Sequence, residues 1–391
     1  MDKIKILIAN GHLRVGGCEK SLINLLNAID YSKSDVDLLL FEGYGEYKKL
    51  IPKEVNIIMC DITNTYGSVI SVMKTAIKKK DIKSIIMKII FTLATKIDMK
   101  YIGIMKIFRI TQREYDFAFA YRVGIAADFI AYAINAKEKS VWWHNGQIDN
   151  SMRQIQCLKK MMKEMNHIVC VSEAAKKIIF PYFKEFESKI VVISNIIDFN
   201  EIREKAILYC PYENIKENCI KIVSVGRFSP EKHMADTVWI LKQLIDKGYN
   251  IKWYLVGDGV EYLNIESKIK ELNLEKFMVL VGSKSNPYPY IAGADIFVHP
   301  SYVESQGMTV LEAMALHKIC VIVKSAGTDE FVIDGKNAIQ AQQTIESVVE
   351  KLEYAIKNKK SLDFKYQEDL VVAKFSKEKI MKQIFNLGEK E

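Results

Sequence analysis

Seven cysteines, at positions 18, 60, 157, 170, 210, 219 and 320, stand singly, and no two form a Cys-x-x-Cys pair. That spacing supplies neither a zinc site nor a disulfide framework, and scattered thiols suit a reducing cytoplasm. Long apolar runs are missing as well. The most apolar stretch, residues 84–95, is interrupted by Lys88 and is too short to span a bilayer. No charged segment followed by an apolar core and a small-residue cleavage site opens the chain, so a soluble cytoplasmic protein is the expectation. Solenoid-period repeats and low-complexity segments are absent. The loop after the first apolar run has neither the Gly-x-Gly-x-x-Gly dinucleotide spacing nor a Walker pattern.

What is there is ordinary globular material, with one exception. The 391 residues are 49% apolar and 27% charged, enough for about two domains with buried cores. The exception is the distribution of the net +8 charge. Residues 66–113 carry eleven Lys/Arg against Asp81 and Asp98, a local +9 that leaves the remainder at −1. Cations interleaved with Ile, Met, Leu and Phe over residues 70–110 fit either a solvated lysine-rich face or amphipathic helices on an anionic membrane surface. Nucleic-acid binding by the whole protein does not follow from so local a block.

Short apolar runs alternate with helical spacing along the chain. Ile4 to Ala9, Asp35 to Phe41, Val55 to Cys60, Phe117 to Tyr121, Ser140 to Trp143 and His167 to Val171 read as strands of a first block. Ile220 to Val225, Ile251 to Val256, Met278 to Val281, Ile296 to His299 and Ile319 to Val323 read as strands of a second. A helix is expected from about Ser21 to Ile29. Buried runs bounded by glycines and alternating with helices imply parallel sheets covered on both faces, hence an α/β chain of two Rossmann-like, doubly wound domains. The expected divisions are residues 1–197, a linker region at 198–218, residues 219–375, and a terminal helix in 376–391 that packs back toward the first domain.

In such folds ligands gather where strands end and helices begin, because backbone N–H groups are offered there. The loop Gly11–Glu19 holds Gly16 and Gly17 before a helix, which is either a plain tight turn or a close approach for a diphosphate. After IKIVSV comes Gly226-Arg227-Phe228-Ser229-Pro230-Glu231-Lys232. Alone, Arg227 and Lys232 read as solvated cations; leaving one strand end, they can converge on an anion. Gly257, in Val256-Gly257-Asp258-Gly259, reads chiefly as a turn residue. After IFVHP, Glu304 precedes Gly307, Met308 and Thr309, which open a helix carrying Glu312. This is an anion cradle with a carboxylate on either side. Thr309-x-x-Glu312 also fits a capping box, and Glu304 also fits a solvated loop acid. His144 ends the run Trp142-Trp143 where it can face a cleft, although a lone histidine is more often structural. It has no partner at ligand spacing, so no metal site is expected.

Taken together these residues resemble the retaining GT-B glycosyltransferases of family 4. GRFSPEK resembles that family's Gly-Arg…Lys donor loop, VGDG its next turn, and Glu304…Glu312 its paired glutamates with seven residues between. PSYVESQGMTVLEAMA and SAGTDEFVIDGKNA continue the match to about Ala338. The first half matches more thinly, through Gly16-Gly17-x-Glu19, the His144 strand end, VSEAAKKI and VISNIID.

The resemblance implies that Arg227 and Lys232 bind the donor diphosphate and Glu312 the ribose. It implies that Gly307, Met308 and Thr309 offer N–H groups to phosphate, and that Gly16 and Gly17 close over it. Glu304 then meets a hydroxyl of the donor sugar, and His144 lies beside the sugar. The expected reaction is metal-independent, retaining transfer from a nucleotide-diphosphate sugar, UDP by preference, to a glycan or lipid-linked acceptor in cell-surface polysaccharide or glycoconjugate synthesis. No cofactor is expected. Ser305-Gln306 departs from the family's frequent Gly-Phe after the first glutamate, which puts the sugar contact in question. The alternatives are an epimerase of the same fold, a nicotinamide oxidoreductase, which the absent fingerprint disfavours, and a non-catalytic binding partner, which the intact charged residues disfavour.

Overall fold

The structure, a computed structural model, describes residues 3–42, 45–60, 113–149, 151–213, 215, 218–362, 371 and 374–388. Of the basic stretch only Arg113 is among them, and the reading of residues 70–110 lies outside the described residues. Arg113 pairs with Asp35 and Asp37.

Ile4–Asn10 (β1) is apolar nearly throughout because a parallel strand covered on both faces has no solvent side to fill. It pairs in parallel with Ser34–Leu40 (β2) and Glu114–Ala120 (β4), with Ile8 opposite Leu38 on one side and Phe119 on the other. Asn56–Met59 (β3), Asn135–Trp143 (β5), His167–Cys170 (β6) and Ile190–Val192 (β7) complete the first sheet, in the order 3-2-1-4-5-6-7. The second sheet contains Ile220–Val225 (β8), Ile251–Val256 (β9), Met278–Gly282 (β10), Ile296–His299 (β11), Ile319–Val323 (β12) and Ile339–Ala341 (β13). Its order is 10-9-8-11-12-13, with Ile222 opposite both Trp253 and Ile296. Every pairing among these strands is parallel. The chain therefore has two Rossmann-like α/β domains, each with a topological switch point: between β1 and β4 in one, and between β8 and β11 in the other.

Trp253, Phe228 and Ile265 fill one face of the second sheet, and Phe297, Val310 and Phe375 fill the other. In the first domain Leu7, Ile8, Phe129, Trp143 and Phe183 form a single buried cluster. The change of domain is abrupt: Ile196 belongs to the first core and Ile197 to the second. Within 198–218 lies a helix, Phe199–Ala206. The Asp198 side chain caps it by accepting from the Glu201 N–H at 2.8 Å, and Phe199, Ile202 and Ala206 are buried against the second domain. The helix Lys377–Asn386 returns to the first domain, where Ile380, Met381 and Ile384 join its core.

Several boundaries move. β7 and β13, three residues each, are outer-edge strands too short to leave a sequence pattern. β5 begins five residues before Ser140, because Asn135–Lys139 lie at the sheet's amino edge where polar side chains reach solvent. The first helix is Gly17–Ala28, so Gly16 is its N-cap and Gly17 its first residue. Among the described residues, no helix is long and apolar enough to cross a membrane.

Candidate active site

Three strand ends of the first sheet and four of the second open onto one cavity of about 390 Å³. From the first domain come Gly16 and Gly17 after β1, Arg122 after β4 and His144 after β5. From the second come Arg227 and Lys232 after β8, Gly257 after β9, Ser283 to Ser285 after β10, and the segment from His299 to Glu312. All eleven residues singled out from the sequence line this cavity, including Glu304, Gly307, Met308 and Thr309.

Backbone shape places the second-domain groups. Gly257 has φ +154°, and a Cβ there would sit 1.8 Å from the Gly226 carbonyl oxygen, so only glycine lets the β9 turn pack under the Arg227 loop. Its turn role is therefore as firm as its place in the cavity wall. Gly307 has φ +78° and is the N-cap of Met308–Ala315. The N–H groups of Met308 and Thr309 find no acceptor among the described residues and stand at the positive end of the helix.

Among the described residues, the cavity's charged groups divide into cations without an ion pair, Arg227 and Lys284, and several tight pairs. Arg227 is exposed to the cavity and forms no ion pair among the described residues. Lys232 Nζ donates to Glu304 Oε1 at 2.7 Å, and His299 Nε2 lies 2.8 Å from the same oxygen. Burial alone would raise the Glu304 carboxyl, but Lys232 and His299 outweigh it and hold it down at about 2. Glu312 goes the other way. Burial pushes it up to about 7, only partly offset by Lys20 and by the Tyr288 hydroxyl, which donates to Glu312 Oε1 at 3.2 Å. Burial, with Arg122 beside it, pushes the His144 imidazole down to about 3, so the ring is neutral. Its Nε2 is buried without a partner among the described residues.

Two sequence expectations change. The capping box is not formed: Gly307 is the N-cap, so Thr309 lies inside the first turn, and its Oγ1 is 3.5 Å from His299 Nδ1. Glu312 meets Tyr288 instead. The departure at Ser305-Gln306 also has a different meaning. Gln306 Oε1 accepts from the backbone N–H and the side-chain amide of Asn195, at 3.1 and 2.5 Å, and so ties the second domain to the first. Asn195 in turn accepts from Ser21.

Arg122, Lys20 and Tyr288 were not singled out from the sequence. Arg122 Nη1 donates to Glu19 at 3.2 Å, and Lys20 Nζ reaches Glu201 of the other domain at 3.1 Å. A cation directly after the apolar run FAFAY was the available signal for Arg122. Among the described residues no group of three His, Cys, Asp or Glu is placed to hold a metal ion.

Residues 211–370 match the family model for glycosyl transferases group 1. The chain is also similar to several curated proteins. One is an uncharacterized glycosyltransferase of Methanocaldococcus jannaschii, 25% identical over 185 residues, 45% of this chain and 46% of the relative. A second is the Campylobacter jejuni N-acetylgalactosamine-N,N'-diacetylbacillosaminyl-diphospho-undecaprenol 4-alpha-N-acetylgalactosaminyltransferase, 31% identical over 182 residues, 44% and 48% of the two chains. A third is the capsular polysaccharide biosynthesis glycosyltransferase CapM of Staphylococcus aureus, 26% identical over 206 residues, 48% and 52%. The chain spans about half the length of the curated relatives it matches. Its fold extends further. It superposes on Anabaena HepE in complex with UDP and glucose with a TM-score of 0.73 at 17% identity, over 98% of each chain. On a TarM variant of S. aureus the TM-score is 0.70 at 14% identity, over 100% of each chain. At these identities the likeness is one of fold, the two-domain GT-B architecture.

The opposed carboxylates give a pH signature in the ligand-free protein. Glu312 has a folded value of about 7 against 4.5 ordinarily. Its proton is held more tightly when folded, so stability declines as pH rises from the unfolded value through the folded one, by roughly 3 kcal/mol in all. Glu312→Gln should therefore melt above the wild type at pH 8, with the difference closing toward pH 4.5. A melting-temperature gap that is the same at both ends of that range would contradict the assignment.

Proposed function

We propose that the chain is a retaining, metal-independent glycosyltransferase that moves a sugar from a nucleotide-diphosphate donor, UDP by preference, to a glycan or lipid-linked acceptor. One observation carries the reading: Arg227, which has no ion pair among the described residues, the Lys232–Glu304 pair, the N–H groups of Met308 and Thr309, which have no acceptor among them, and buried Glu312 converge on a single interdomain cavity. The names of the relatives and of the UDP-bound structural neighbour support it.

In this reading the diphosphate lies against the helix N-terminus, with Arg227 and Lys232 on its oxygens and the backbone of Gly16 and Gly17 over it. Charge grows on the leaving phosphate as the sugar–oxygen bond breaks, and preorganised cations and N–H groups stabilise it without a metal. The acceptor hydroxyl attacks from the face the diphosphate leaves. It forms the new sugar–oxygen bond there and passes its proton to the departing phosphate oxygen, so configuration is kept. Glu304, ionised, accepts from a hydroxyl of the donor sugar. Neutral His144 offers Nε2 to the same sugar. Glu312 accepts from the ribose hydroxyls. A cytoplasmic position, with residues 70–110 resting on an anionic membrane, suits a lipid-linked acceptor and draws on their charge alone.

Arg227→Ala and Lys232→Ala should each lower kcat/KM by about 2–4 kcal/mol of transition-state stabilisation, measured as sugar transfer or donor hydrolysis from UDP-sugars. Near-normal turnover in folded variants would remove them from the site. Wild-type transfer should persist in EDTA, and loss restored by magnesium or manganese would mean that a metal is required. Co-sedimentation with vesicles should rise with anionic lipid and fall with salt, whereas equal partition to neutral vesicles would leave residues 70–110 as a solvated face.

A further inference from the structure

Glu304 receives two donors on one oxygen. Lys232 Nζ and His299 Nε2 both reach Oε1, at 2.7 and 2.8 Å, and Oε2 has no partner among the described residues. Lys232 is held by a long flexible stem and is itself expected to engage the diphosphate once a donor is bound. His299 is different. It is the last residue of β11, 2% exposed, and its ring lies parallel to Phe297 at 6.3 Å, so its orientation is set by the sheet. Its Nδ1 faces Thr309 Oγ1 at 3.5 Å, on the helix whose N-terminus faces the cavity.

We propose that His299 is the positioning residue that fixes Glu304 for the donor sugar, through the hydrogen bond from its Nε2–H to Glu304 Oε1. The consequence is geometric. With Oε1 anchored to a rigid strand end, Oε2 keeps one direction into the cavity when Lys232 turns to the phosphates. A loop carboxylate held by lysine alone would lose its direction at the moment the donor arrives. His299 touches neither donor nor acceptor in this scheme and acts only through Glu304.

The proposal rests on the glycosyltransferase reading above, and the test separates the two. Asn at 299 reproduces the Nδ1 side of the ring and falls short of Glu304, whereas Gln reproduces the Nε2 side and reaches it. UDP affinity is measured first, by calorimetry, and then kcat and KM for UDP-sugar turnover. His299→Asn should lose about ten- to a hundredfold in kcat, the size of one hydrogen bond to a charged group, with UDP affinity and donor KM near wild type. His299→Gln should recover most of that loss. His299→Leu, without a donor, serves as the loss variant should Asn prevent folding. A wild-type protein that neither binds UDP nor turns over any UDP-sugar overturns the glycosyltransferase reading. With an active wild type, full turnover in His299→Asn or His299→Leu overturns the positioning role. So does a His299→Gln protein that binds UDP normally yet is as slow as the loss variant.

Discussion

In a parallel sheet all strands leave at the same edge, so the loops that follow them collect on one side. Each domain here has such an edge, and the two edges face each other across the cavity. Nothing in the site would meet otherwise: Gly16 lies more than a hundred residues before Arg122 and His144, and Arg227 and Glu304 are nearly eighty residues apart. Both switch points lie on this line, β1 against β4 and β8 against β11, where departing loops diverge and leave a crevice. The long buried strands, with Trp253, Ile222 and Phe297 between their helices, fix where those loops begin.

Within that frame, two glutamates, Glu304 in the loop before the helix Met308–Ala315 and Glu312 within it, show how environment divides one residue type into two roles. Glu304 is surrounded by donors, Lys232 and His299, and is ionised at any ordinary pH. Glu312 has a single phenol donor and the more distant Lys20, and burial dominates. A carboxyl with so little compensation is at its most stable when a ligand brings hydroxyl donors to it. The helix that carries Glu312 has no side-chain cap, which leaves its first N–H groups to a ligand.

Much of this was legible in the residues. The strands β8, β9, β11 and β12 run over the same residues as the apolar blocks that announced them, because short buried runs closed by polar or glycine residues have few alternatives. The second-domain loops were legible for the same reason. What failed was local spacing that tertiary structure overrides. Thr309 and Glu312 have capping-box spacing, but the left-handed Gly307 starts the helix earlier and Tyr288, from another element, claims the acid. Arg122 was hidden because its importance depends on β4 lying beside β1, a pairing between residues more than a hundred positions apart. Gln306 was read as a sugar-side change, and its partner Asn195 could not be inferred from either neighbourhood.

The return of Lys377–Asn386 to the first core has a consequence for how the molecule is made. The second core is drawn from one continuous stretch, Ile197 to Phe375, whereas the first combines Ile6 to Ile196 with Ile380, Met381 and Ile384. Chains emerge from the ribosome in sequence order, and domains generally fold as units. The domain that begins first is thus the one that finishes last: its apolar seat for the returning helix stays uncovered until the whole of the other domain has been synthesised.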